Sequence, residues 1–187
     1  TYSLALDSLK EGTTYYVRAY AINTMGINYG NVDTLTTLTT PTVITAKADS
    51  IWSTGIISGG KVLTDGGMPV TVRGVCWSST VVPSISLITK TVNGNGLGSF
   101  TSTIKGLEHD SVYFIRAYAT NSLGTTYGKT DTVRTLPIPP IVGEAKFSSI
   151  TDTSVVTTAE IIDDGGAAVT KRGICWNTTG NPTMADN

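Results

Sequence analysis

Charge is scarce in this 187-residue chain: Asp, Glu, Lys and Arg make up 14% of it, where about 25% is usual. The 13 basic residues are scattered and balanced by 14 acidic ones. No basic stripe exists to hold phosphates, so neither nucleic acid nor anionic lipid is expected as a partner. No apolar run approaches the roughly 18 residues that would span a bilayer, and residues 1–20 lack the basic start and apolar core of a signal peptide. Targeting signals for an exported protein are expected outside this stretch. No segment shows the 3.6-residue apolar period of an amphipathic helix. Cysteine occurs twice, at Cys76 and Cys175, in the matching contexts RGVCW and RGICW. Each is expected to be a small buried hydrophobe on its own strand, not half of a disulfide.

What the chain does have is threonine, at 33 positions, and an internal repeat. YYVRAYAINTMG at 15–26 returns as YFIRAYATNSLG at 113–124, an offset of 98. In a second set the offset is 99: Asp65-Gly66-Gly67 matches Asp164-Gly165-Gly166, Arg73 matches Arg172, and Trp77 matches Trp176. A period of this length is read before any local feature. It predicts one complete module at 39–137, the back segment of a preceding module at 1–38 and the front segment of a following one at 138–187.

Within the complete module the apolar period is two. Tyr113, Ile115, Ala117 and Ala119 share one face of a strand, and Phe114, Arg116 and Tyr118 the other. Turn signals at short intervals divide the module into about seven strands: 44–48, 54–63, 70–77, a weak one at 85–91, 99–104, 113–120 and 126–135. The fold expected is all-β, a tandem array of immunoglobulin-like sandwiches with a period of 98–99 residues.

The series Leu107, Tyr113, Ile115, Ala117, Ala119, Asn121, Gly124 resembles the end of a fibronectin type III domain, and Leu9, Tyr15, Val17, Ala19, Ala21, Asn23, Gly26 repeats it without a gap. In that family the tyrosine ring fills the core and its hydroxyl returns to backbone in the preceding turn. The front segment departs from the family: it lacks a Trp late in its second strand and carries DGG followed by RGVCW. That combination is similar to fibronectin-like repeats in secreted and cell-surface proteins of Bacteroidetes-type bacteria. The resemblance implies an extracellular or cell-surface location.

Candidates for chemistry are few. His109 lies between Glu108 and Asp110, but the matching turn reads Lys10-Glu11-Gly12 and no nucleophile accompanies it. Asp65, Asp163 and Asp164 could offer oxygens to calcium, which wants six to eight; each DGG also reads as a tight turn whose glycines take positive φ. Asn93-Gly94-Asn95-Gly96 precedes no helix, so it reads as a flexible loop and not a phosphate cradle. No catalytic, cofactor-binding or metal residue is therefore expected, and the chain is not expected to be an enzyme.

Two surface features remain. Arg73 and Trp77 on the third strand are expected to face outward beside Phe114, Arg116 and Tyr118, as a cross-strand ladder or as an aromatic patch for glycans or the next module. Asp followed by Ser or Thr and then an aliphatic residue recurs at Ser8, Thr34, Ser50, Ser111 and Thr132. The pattern is similar to the acceptor sequence of the O-glycosylation system of the same bacterial group, which makes these five candidate acceptors; Asp-Ser and Asp-Thr also mark strand ends by side-chain to backbone bonds.

The expected function is a structural or adhesive extracellular repeat protein, a stalk, adhesin or filament subunit joined head to tail to neighbouring copies or modules. The alternative is a non-catalytic carbohydrate-binding or spacer region of a large secreted hydrolase. The front segment at 138–187 and the back segment at 1–38 are each near the size limit for independent stability; the expectation is that each completes the other between copies, and the alternative is that the sequence is a window on a longer covalent repeat chain whose neighbouring residues complete them.

Overall fold

β-Branched residues at alternating positions favour extended backbone. The computed structural model describes residues 1–186 and has fifteen strands and no helix among them. The first four are short: β1 (Thr14–Val17) pairs with β4 (Asp33–Thr36), and β2 (Tyr20–Asn23) with β3 (Gly26–Tyr29), both antiparallel.

Seven strands follow: β5 (Thr42–Trp52), β6 (Gly55–Thr64), β7 (Val72–Ser78), β8 (Gly98–Lys105), β9 (Val112–Asn121), β10 (Gly124–Tyr127) and β11 (Asp131–Arg134). They make two sheets, one ordered β5-β6-β8 and one in which β9 pairs with β7, β10 and β11. Val43 of β5, Val62 of β6 and Val70 close on Ala117 and Ala119 of β9, with Phe100 of β8 packed against them. A core drawn from the inner faces of both sheets makes this an immunoglobulin-like sandwich. Four last strands, β12 (Ile141–Val142), β13 (Lys146–Ser148), β14 (Val156–Thr158) and β15 (Ile161–Asp163), pair as β12 with β15 and β13 with β14.

Two expected strands differ. The segment at 85–91 is not a strand: Pro83 precedes it, and a turn closed by Leu87 N–H to Ser84 O occupies its first residues. From Thr89 onward it lies along the edge of β7, bonding Trp77, Val75 and Arg73 with only one regular bridge, Cys76 to Lys90. The last expected strand is split into β10 and β11. Between them Gly128 donates to Ala117 O, and a Cβ there would stand 2.4 Å from Thr45 N.

The chain divides into two compact units. One comprises Thr1–Ser50, Ile56–Ile104 and Tyr113–Val133; the other comprises Ile51–Gly55, Lys105–Val112 and the chain from Arg134 on.

Candidate functional site

The feature built most deliberately is the connection leading into β5, and it is built twice. Thr37, which ends the β1–β4 pair, donates its hydroxyl to Lys10 O and accepts the Thr13 N–H (3.0 Å), while its own N–H reaches Thr13 O (3.1 Å). Lys10 N–H is held by the Tyr15 hydroxyl at 2.8 Å, the corner bond expected of that tyrosine. Two residues on, Thr39 N–H donates to Gly66 O at 2.9 Å, so the Asp65-Gly66-Gly67 turn sits directly on the connection. Asp65 folds the turn by accepting Gly67 N–H. A Cβ on Gly66 would stand 2.0 Å from Thr39 O, and one on Gly67 would stand 2.6 Å from a Leu38 methyl.

In the second unit the same bonds recur. Thr135 donates its hydroxyl to Glu108 O (2.6 Å) and accepts Ser111 N–H (2.9 Å), and its N–H reaches Ser111 O (3.0 Å). Ile138 N–H donates to Gly165 O at 2.9 Å, Asp164 accepts Gly166 N–H, and a Cβ on Gly165 would stand 2.0 Å from Ile138 O. Thr37 and Thr135 are 98 apart, Gly66 and Gly165 are 99 apart, and Thr39 and Ile138 are 99 apart. Gly66 and Gly165 are thus demanded twice over, by positive φ and by close backbone approach, whereas Gly67 and Gly166 combine positive φ with a side-chain neighbour.

The second joint adds charge. Gly12 (φ 59°) is matched by Asp110 (φ 48°), a conformation that L residues adopt only at a cost. Asp110 is held there by a two-pronged bond from Arg134, 2.7 and 2.8 Å. That bond holds its carboxyl below the usual carboxylate value. His109 Nε2 lies 3.5 Å from Asp163.

Asn121 is not among the site residues expected from the sequence, yet it ties the first joint together. It is buried, its side-chain N–H groups reach Thr39 O and Asp65 O at 2.9 Å each, and its carbonyl oxygen accepts Leu123 and Gly124 N–H. The repeat of Asn23 at Asn121 is the signal that could have found it.

The expected outward patch is divided by the structure. Antiparallel pairing sets Arg73 opposite Ala119, Val75 opposite Ala117 and Trp77 opposite Ile115, so Arg73 and Trp77 belong to the inward parity. Phe114, Arg116 and Tyr118 lie instead beside Ser78, Cys76 and Gly74. Alternation fixes faces within a strand but not the register between two strands. Arg73 is half-buried and is tolerated because it ends over the Phe100 ring, 5.3 Å from its centroid, and bonds the carbonyls of Gly96, Leu97 and Gly98. Those bonds, with Arg73 N–H to Gly94 O and Gly96 N–H to Val70 O, also pin the loop expected to be flexible.

Tyr118 is not outward either; it is buried. Its ring passes over Gly74 and its hydroxyl donates to Thr91 O at 2.6 Å. Burial raises its pKa, with Cys76 and Tyr127 adding to the effect. Phe114 and Arg116 are half-buried. Arg116 stacks on Tyr127 (4.5 Å) and bonds Gly128 O, and its counterpart Arg18 stacks on Tyr29 (3.9 Å).

Of the candidate acceptors, Ser8, Thr34, Ser50 and Thr132 are exposed and Ser111 is half-buried, donating to His109 O. Asp33 and Asp131 each accept the N–H of the threonine that follows, the strand-end role. Cys76 is buried on β7, with its thiol pushed up to about 11 by desolvation, whereas Cys175 is half-buried and lies on no strand. The three DGG-region aspartates each accept a nearby backbone N–H, and no cluster of three metal-ligating side chains occurs among the described residues.

No protein-family model matches the chain, and no curated protein does. Solved structures similar to it include the sensor domain of the anti-sigma factor RsgI4 of Pseudobacteroides cellulosolvens, at 14% identity and TM-score 0.38 over 52% of this chain and 96% of that one. Domains A168-A170 from titin match at 16% identity and TM-score 0.40, over 68% of this chain and 43% of that one. The FN1-FN3 domains of chicken CNTN1 match at 17% and 0.40, over 70% and 45%. At these identities and scores the likeness assigns the chain no family, ligand or partner.

Proposed function

We propose that the chain is a stretch of a non-catalytic, structural or adhesive repeat protein of the cell exterior, organised as residues 1–38, 39–137 and 138–187 of successive sandwiches. The observation that carries this reading is the joint: the threonine hydroxyl and amide bonds, and the close approach of the first DGG glycine, recur at two positions one period apart. A protein whose task resides in each sandwich alone has no need to specify the connection so closely. One whose task is reach and stiffness does, and the prolines at 137, 139 and 140 serve the same end. The DGG and RGVCW resemblance supports a surface protein of the Bacteroidetes type, and the four exposed Asp-Ser/Thr sites support O-glycosylation there. The alternative, a glycan-binding region of a secreted hydrolase, draws less support, because Tyr118 is covered and Arg116 is already engaged.

Antibody raised against this chain should label intact cells of its source at the surface, along extended material. Label confined to the cell interior would overturn the proposal.

A further inference from the structure

Asn93-Gly94-Asn95-Gly96 holds the only two asparagines in the chain that a glycine follows. That step is chemically fragile. With no Cβ to shield it, the glycine nitrogen can lose its proton and attack the side-chain carbonyl carbon of the asparagine before it; the side-chain nitrogen leaves as ammonia and a cyclic succinimide closes. Water then opens the ring at either carbonyl, giving aspartate or isoaspartate. The attack needs a side chain free to swing over the following nitrogen, and a nitrogen free of its own hydrogen bond.

The two steps differ in which freedom they lack. Asn93 is half-buried and its side chain is fixed at both ends: the oxygen accepts the hydroxyls of Thr91 (2.7 Å) and Ser102 (2.5 Å), and the N–H donates to Thr101 O (2.7 Å). Asn95 is exposed, and its amide carries none of these bonds. Its restraint lies in its neighbour, since Gly96 N–H donates to Val70 O at 3.0 Å while Arg73 holds Gly96 O and Leu97 O. Neither step is covered: a Cβ on Gly94 or on Gly96 would meet nothing within 4 Å. Protection therefore comes from hydrogen bonds alone, and one backbone bond at a loop tip opens more often than a network that fixes a side chain at both ends.

We infer that Asn95 is the site at which the folded chain deamidates, and that Asn93, also followed by glycine, is spared. The consequences of reaction differ as well. Asn93 N–H donates to Arg73 O and Gly94 O accepts Arg73 N–H, so isoaspartate at 93 would insert a main-chain carbon between those two bonds to β7. At Asn95 the extra carbon falls at the exposed tip, and the change there is a new negative charge on the surface.

Ageing the 187-residue chain at mildly alkaline pH, folded and in urea, tests this by peptide mapping. Each folded rate is read against the same step in urea, which removes the influence of flanking residues. Protection at Asn93 should exceed that at Asn95 by at least about tenfold, because reaction at each step waits for its own local opening. Asn95→Gln, a surface change, supplies an amide whose ring closure is much slower, so the acidic forms that ion exchange separates from aged folded protein should fall to a small fraction. A smaller protection ratio, no conversion at Asn95 in the folded chain once both steps have converted in urea, or acidic forms undiminished in Asn95→Gln would each overturn the inference. The chemistry is independent of where the protein resides, so surface labelling remains a separate test of the functional reading.

Discussion

Gly66 and Thr39 approach so closely that the joint has room for no side chain between them: a Cβ on Gly66 would stand 2.0 Å from Thr39 O and 2.7 Å from its carbonyl carbon. Gly106 has almost the same φ, 72° against 70°, but open space around it. The pair separates backbone strain from crowding. Gly106→Ala should cost about 1–2 kcal/mol from the left-handed conformation alone. Gly66→Ala should cost clearly more, because the obstructing atoms are main chain and cannot rotate away. Urea midpoints of the two variants provide the check, and Gly165→Ala should behave as Gly66→Ala does. Equal costs at Gly66 and Gly106 would mean that the joint yields.

Tyr118 should matter to stability as a core residue does. Truncation to alanine is expected to cost about 3–5 kcal/mol, the range for buried aromatics, and Tyr118→Phe about 0.5–1.5 kcal/mol for the lost bond to Thr91 O. Chemical denaturation of the two variants measures both. A Tyr118→Ala cost within a few tenths of zero would return the ring to the surface, where alternation alone puts it.

The contrast between Tyr118 and its neighbours shows how far residues alone carry the fold. The two-residue period of Tyr113, Ile115, Ala117 and Ala119 is a local property, and all four are buried as that period requires. The face of Arg73 is not local. It depends on which residue of β9 it meets, and neither strand encodes that pairing by itself. The cover over Tyr118 comes from a segment that is not a regular strand and so has no period to read. Gly74 in RGVCW is a visible sign that something packs closely there, but not of what. The joint is half legible: the DGG repeat marks the turn, while its partners at Thr39 and Ile138 are main-chain atoms that any residue possesses.

Glycosylation can be checked site by site on protein from its own source. Sugar is expected at Ser8, Thr34, Ser50 and Thr132, which are exposed, and not at Ser111, whose hydroxyl is half-buried and engaged with His109 O. Peptide mapping by mass spectrometry distinguishes the sites. Unmodified peptides at all four would remove the acceptor reading and leave the Asp-Ser and Asp-Thr steps as strand-end devices.

The ion pair between Asp110 and Arg134 makes a prediction about pH. Its bond to Arg134 lowers the Asp110 pKa in the folded protein, so the folded state binds the proton more weakly than the unfolded chain does. The resulting stabilisation is fully present above the unfolded value of about 3.9 and is lost as pH falls through the folded one. Arg134 is 61% exposed, so the effect should be small and should shrink with added salt. Comparing Tm for the wild type and Arg134→Gln from pH 7 to pH 2 isolates it: wild type is the more stable near neutrality, and the two curves converge below about pH 4. Asp110→Gly separates the other contribution at this position, since it loses the ion pair but relieves the φ of 48°. It should therefore be the more stable of the two variants at low pH, where the pair no longer contributes and only the backbone strain of Asp110 remains. Arg134→Gln matching or exceeding Asp110→Gly at pH 2 would show that the strain assigned to Asp110 is absent.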